Sequence, residues 1–329
     1  MRVVWLERPG GPQALAVVER PRPEPGRGEV RVRAQALGVG KPDMLMRRGI
    51  YKWMPPLPTV VGNELAGVID AVGEGVRGVR EGDRVLVSSR ELAQRGGCHA
   101  EAVCVPAAAV FALPGGVSAE DAVSAPNYQM AAAMLFDAGG ARPRSVLVHG
   151  AAGGVATAVL QLAQAHDVLA IGTASTAAKA AHARGAGALH VIDRSCTDVH
   201  AAVMEQTAGR GVDLVLDHVG GPGFVANLDL LAPRGTLLSF NVLAGVPQDN
   251  LVEALRARLD RSLAVRCYSI HTLDDDAPRR RELMQDVLRL MGEGRLRPPP
   301  AVRFALDDVR AAHELLDAGS SPGKIVLVP

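Results

Sequence analysis

Residues 145–164 read SVLVHGAAGGVATAVLQLAQ. A short apolar run, Val146-Leu147-Val148, breaks at a cluster of glycines, and a long apolar-periodic segment follows at once. Strand, glycine turn and helix in that order aim backbone N–H groups and the positive end of a helix dipole at one spot, which suits a pyrophosphate. Gly150 lets the strand turn sharply. Gly153 and Gly154 let a phosphate approach the backbone, and Ala156 is small enough for the helix to lie close to the strand. Gly150, Ala152, Gly153, Gly154 and Val155 are therefore the expected diphosphate-binding residues. A G-x-x-G-x-x-A pattern alone is weak; its position after a strand and at the opening of a helix makes it a dinucleotide fingerprint.

Outward from this stretch the texture of the chain divides in two. From about residue 127 strand candidates (146–149, 168–172, 189–193, 213–217, 236–240 and 263–268) alternate with Ala-rich helical segments such as TAAKAAHARGAGA. Alternating βα units imply a parallel, doubly wound sheet covered on both faces. The first third is rich in Val, Gly and Pro, with short alternating runs (VRVRAQALGVG, GDRVLVSS, AEAVCVP), and predicts an irregular β domain. The tail predicts an amphipathic helix near 280–291, a strand at 302–304, a helix at 307–318 and a closing strand at 324–328 that returns to complete the first domain. The expected division is 1–122 with 266–329, and 123–265.

The 329 residues suffice for two domains with proper cores, and a net charge of +1 without long basic runs argues against a nucleic-acid or membrane-surface protein. Cys98, Cys104, Cys196 and Cys267 are scattered and read as reduced cytosolic thiols. No signal pattern opens the chain, and no apolar run is long enough to span a bilayer, so a cytoplasmic protein is expected.

A fold that selects NAD usually places Asp or Glu at the end of its second strand, to accept hydrogen bonds from the adenosine ribose. Here that strand ends Ile171-Gly172-Thr173-Ala174-Ser175, with no acid. Thr173, Ser175, Lys179 and, beyond the next strand, Arg194 supply neutral donors and cations that suit a 2′-phosphate, so NADPH is expected over NADH. The competing reading leaves Lys179 and Arg194 as solvated surface charges.

Across nearly the whole chain, ordered pieces carry a resemblance: GVGKPDMLMRRGIY, PTVVGNELAGVIDAVGEGV, GDRV, GCHAEAV, VLVHGAAGGVA, GALHVID, VDLVLDHVGG, LAPRGTLLSF and GKIVLVP. Together they resemble the medium-chain dehydrogenase/reductase superfamily, in its zinc-independent branch of quinone oxidoreductases and enoyl reductases. The resemblance implies an α/β chain with a GroES-like β-barrel domain, built from both ends, and a Rossmann domain, with the active site in the cleft between them. It also implies a homodimer paired through edge strands, for which 263–269 is the candidate. Zinc-dependent relatives need a ligand histidine in a G-H-E motif and an upstream cysteine. This chain has Gly62-Asn63-Glu64 and no cysteine before Cys98, so no metal is expected.

Without a metal, hydride passes most readily to a carbon conjugated with a carbonyl, as in a quinone, an enone or an enoyl thioester. Tyr51 matches the tyrosine that enoyl thioester reductases of the superfamily use near the substrate, and its phenol can donate a proton. The alternative is loop packing under Trp53 and Pro55. Asn127 stands where relatives place residues against the nicotinamide, but Met130 replaces their threonine. Gly40-Lys41 replaces a common Asn-Pro, and Lys41 is either a cationic donor or a solvated charge. His218, Gly220, Phe240 and Asn241 end the fourth and fifth Rossmann strands, where cofactors bind. Lys324 is either a contact to cofactor phosphate or a surface charge.

The leading expectation is an NADPH-dependent reductase of quinones or α,β-unsaturated carbonyl compounds. One alternative is an enoyl-thioester reductase, whose acyl carrier protein would meet a basic rim such as Arg279-Arg280-Arg281. Another is a non-catalytic, crystallin-like NADPH-binding protein.

Overall fold

The computed structural model describes residues 1–319, 321 and 323–329. Two compact units emerge: Met1–Pro126 with Met284–Gly294 and Pro298–Pro329, and Asn127–Leu283 with Arg295–Arg297.

In the second unit six strands form one all-parallel sheet. Their spatial order is His190–Asp193, Leu169–Ala174, Ser145–Val148, Val212–Asp217, Leu231–Ser239 and Ala264–Cys267. The chain starts in the middle, winds to one edge, then crosses back and winds to the other. The direction of winding therefore reverses beside Ser145–Val148, and the carboxyl ends of the strands flanking that point form the crevice where open α/β sheets bind ligands. All four residues of Ser145–Val148 are buried, as expected for a central strand covered on both faces. On one face Leu147, Ile171, Val215 and Leu237 pack with Val203, Phe224 and Leu228. Each such side chain contributes about 1.5–3 kcal/mol through removal from water.

This unit extends to Leu283, past the expected boundary at 265. Pairing explains the difference: Ala264–Cys267 runs beside Leu231–Ser239, with Cys267 opposite Ser239. Farther on, Gln129 Nε2 donates to the Arg280 carbonyl at 2.8 Å. The segment after 265 is thus tied to the parallel sheet.

The first unit is built on the long strand Glu29–Val39, which pairs antiparallel with Glu64–Val72, Ala102–Pro106 and Ile325–Val328. Its first half alternates, with Val30, Val32 and Ala34 buried and Arg31 and Arg33 outward, as a half-covered strand must. Val302–Ala305, Arg84–Ser88 and Val110–Ala112 complete that sheet, and Leu15–Glu19, Arg2–Leu6 and Thr59–Val60 form a smaller one. The closing strand therefore does return to the first domain, as the tail predicts. Helix Val309–Ala318 turns Val309, Ala312 and His313 into the same core.

Candidate functional site

The glycine turn forms as its sequence requires. Gly150 adopts φ +65°, a left-handed conformation that disfavours any Cβ, and a Cβ there would fall 2.7 Å from the His218 ring. Gly150, Gly153 and Gly154 are exposed, whereas Ala152 and Val155 are half-buried. Helix Gly154–Ala165 begins with Gly153 as its cap, which offers no side chain to the first-turn N–H groups. These amides point outward from a positive helix end, the arrangement that binds phosphate. Asn127 stands beside them: a Cβ on Gly154 would lie 2.8 Å from its Nδ2. His218, in turn, packs at a tilt against Phe240, with ring centroids 5.5 Å apart. The structure thus gathers Gly150, Gly153, Gly154, Asn127, His218 and Phe240 around one turn.

Around the end of Leu169–Ala174 no acidic residue follows the strand. Ser175 is half-buried, Thr176 caps the next helix by accepting from the Lys179 N–H at 3.2 Å, and Lys179 is exposed. The Arg194 N–H donates to the Ala174 carbonyl at 2.9 Å, which brings this exposed arginine to the strand end. Thr173 differs from the sequence expectation. It is 1% exposed, and its hydroxyl lies 3.2 Å from His149 Nδ1 and 3.4 Å from the Gly150 nitrogen, so it faces inward. Gly220 is also buried, and a Cβ there would fall 2.7 Å from the Gly245 carbonyl oxygen. Asn241 uses its Oδ1 to accept from the Val242 N–H at 2.9 Å.

In the first unit, helix Lys41–Arg47 is anchored by Asp43, whose Oδ2 reaches back to accept from the Gly40 N–H at 2.7 Å. Asp43 Oδ1 accepts from Asn63 Nδ2 at 2.7 Å, and the Ser89 hydroxyl donates to Asn63 Oδ1 at 2.6 Å. Both ends of the Asn63 amide are therefore engaged, and an amide nitrogen is not a zinc ligand. Among the described residues no group of three His, Cys, Asp or Glu side chains is arranged to hold a metal ion. Burial, and then the nearby charge of Arg48, draw the half-buried Lys41 ammonium below its ordinary pKa. Tyr51 is 9% exposed and tilts against Trp53, with centroids 5.7 Å apart.

Lys324 is buried as well: its Nζ donates to Glu64 Oε2 at 2.5 Å, and both side chains are under 10% exposed. Burial pushes the Glu64 carboxyl upward, with the Lys324 ammonium opposing. A phosphate contact by Lys324 would have to compete with this carboxylate. The basic run at 279–281 is split: Arg279 meets Asp137 and Glu282, and Arg280 is buried with Nη1 donating to the Leu273 carbonyl. The rim expected for a carrier protein is therefore not a row of solvated arginines.

Sequence reading missed the network of His149, Asn227 and Asp217, because Asn227 comes close only through the fold. No local signal identifies it.

Residues 26–115 match the alcohol dehydrogenase GroES-like domain, and residues 186–327 match the zinc-binding dehydrogenase family. A quinone oxidoreductase of Pseudomonas aeruginosa is 33% identical over 324 residues, with 97% of each chain covered. The chain belongs to the quinone oxidoreductase branch of the medium-chain dehydrogenase/reductase superfamily. A second relative, the synaptic vesicle membrane protein VAT-1 homolog of Rattus norvegicus, is 34% identical over 90% of this chain and 75% of its own length. The structure of Escherichia coli quinone oxidoreductase complexed with NADPH superposes with a TM-score of 0.83 over all of both chains, at 29% identity. No described helix of this chain is long and apolar enough to cross a membrane.

Proposed function

We propose that this protein is an NADPH-dependent, zinc-independent reductase of quinones or α,β-unsaturated carbonyl compounds. The observation that carries the reading is the exposed turn at Gly150, Gly153 and Gly154, ahead of a helix whose first amides have no side-chain cap. A dinucleotide phosphate fits there, because backbone donors and the helix dipole converge on a surface without Cβ atoms. The acid-free strand end, with Lys179 and Arg194 exposed, supports NADPH over NADH. The names of the bacterial relatives and the NADPH in the Escherichia coli structure agree with it.

When bound, NADPH supplies a hydride to a carbon activated by a conjugated carbonyl. The protein's own residues have two tasks. Gly153, Gly154 and the first-turn N–H groups bind the diphosphate, with Asn127, His218 and Phe240 bordering the turn. The second task is to steady negative charge that develops on the substrate oxygen and to return one proton. Tyr51 Oη is the proposed proton donor, and Lys41 Nζ the proposed hydrogen-bond donor to that oxygen. A half-buried ammonium that burial already disfavours gains most when negative charge grows beside it. A homodimer is proposed through the outer strand Ala264–Cys267, where Ala264, Arg266 and Cys267 are exposed.

Two titrations test the reading. The first compares NADPH with NADH by calorimetry, and equal affinities would remove the phosphate argument. The second follows NADPH oxidation with quinones, enones and enoyl thioesters. Turnover of thioesters alone would transfer the assignment to a biosynthetic enoyl reductase, and cofactor binding without any oxidation would leave a binding protein.

A further inference from the structure

One hydrogen-bond chain beneath the glycine turn can be given a direction, because one of its ends only accepts. Asp217 is 3% exposed and takes donors at both oxygens. Oδ1 receives the N–H groups of Val219 at 2.6 Å and Gly220 at 2.8 Å, and Oδ2 receives Asn227 Nδ2 at 2.8 Å. A carboxylate has lone pairs only, so Asn227 must turn its amide nitrogen toward Asp217 and its Oδ1 away. That oxygen lies 2.7 Å from His149 Nε2, so Nε2 carries a hydrogen. In the neutral ring, the form present at alkaline pH, this leaves Nδ1 a bare lone pair. The Thr173 hydroxyl, 3.2 Å from Nδ1, then has to donate to it. Its own lone pairs remain for the Gly150 N–H at 3.4 Å, and the Thr173 carbonyl accepts from the Ala151 N–H at 2.8 Å.

We infer that His149 is a positioning residue for the phosphate-binding turn: fixed by Asp217 and Asn227 as the neutral Nε2–H tautomer, it aims the Thr173 oxygen at residue 150. Strand Leu169–Ala174 thereby holds both Gly150 and Ala151 in the turn. The functional part of this assignment rests on NADPH binding at that turn; the tautomer does not.

The test begins with the unliganded protein. Histidine-selective 15N spectra at alkaline pH, with the His149 signals identified by their loss in His149→Gln, are expected to show Nε2 protonated and Nδ1 bare. An Nδ1–H tautomer, or a charged ring, overturns the assignment. Asp217→Asn should reverse the chain. The new amide keeps its oxygen on Val219 and Gly220 and offers N–H to residue 227, so Asn227 flips and the His149 hydrogen moves to Nδ1. A folded Asp217→Asn protein that retains Nε2–H refutes the mechanism.

Thr173→Val removes one donor at nearly constant volume and gives a second reading. The His149 Nδ1 resonance should move to that of an unbonded lone pair, and the NADPH Kd should rise by about fivefold, the worth of one neutral hydrogen bond. Activity at saturating NADPH should stay within about twofold, because the residue acts on binding and not on the reacting atoms. Thr173→Ser should restore the affinity. An unchanged Kd, or a kcat lost at saturation, overturns the positioning role. Should the wild-type protein bind no NADPH, the cofactor reading falls, while the spectrum of the unliganded protein still decides the tautomer.

Discussion

His313 provides a sharp test of the first unit's interior. It sits on helix Val309–Ala318 with no exposed surface, and both its ring nitrogens lack a hydrogen-bond partner among the described residues. Burial withholds water from the cation and pushes the ring down to about 4. Asp43 and Asp317 pull it upward, while His99 and Arg47 push it further down. In the unfolded chain the same ring titrates near its ordinary value of 6.5. Between these two values the unfolded state binds a proton that the folded state refuses, so stability falls as pH falls from about 6.5 toward about 4. At about 1.36 kcal/mol per unit the full loss is about 3 kcal/mol, of which about 2 kcal/mol is already gone at about pH 5. Urea unfolding of wild type and His313→Leu, followed by circular dichroism from about pH 8 to about pH 5, isolates this contribution from other titrating groups. The variant should gain about 2 kcal/mol on wild type over that interval. Parallel pH profiles would refute the reasoning.

Other expectations follow from the same structure. Arg47, with a side chain 1% exposed, donates from Nη2 to both carboxylate oxygens of Asp317, at 2.7 and 2.8 Å, so Asp317→Asn strands a buried guanidinium and should lower the urea-derived stability by about 3 kcal/mol. Tyr51→Phe should reduce kcat by about a hundredfold in steady-state assays with an unchanged melting temperature, since it removes a proton donor and keeps the packing against Trp53. Replacing both Lys179 and Arg194 with Ala should raise the NADPH Kd by about tenfold or more in calorimetry and leave NADH nearly unaffected, because only the former has a 2′-phosphate for cations to meet.

Much of the architecture is legible in local pattern. The run at 145–164 carries its own strand, turn and helix, because apolar periodicity and glycine placement are properties of neighbouring residues. The missing acid after Ala174 is equally local. The boundary near 265 shifted to Leu283 because strand membership depends on a partner in another part of the chain, here Ser239 beside Cys267.

Side-chain assignments divided along the same line. Residue type alone marked Gly150, Gly153 and Gly154, since only glycine serves where a backbone must turn left-handed or lie bare to a ligand. Thr173 and Lys324 look like available donors in one dimension, yet folding turns the first toward His149 and the second onto Glu64. Their partners lie far along the chain, and burial makes an unpaired polar group costly enough that each must find one. Sequence thus determined where this protein can offer bare backbone to a phosphate. Only the tertiary structure decided which polar side chains remain open to a ligand and which are consumed inside.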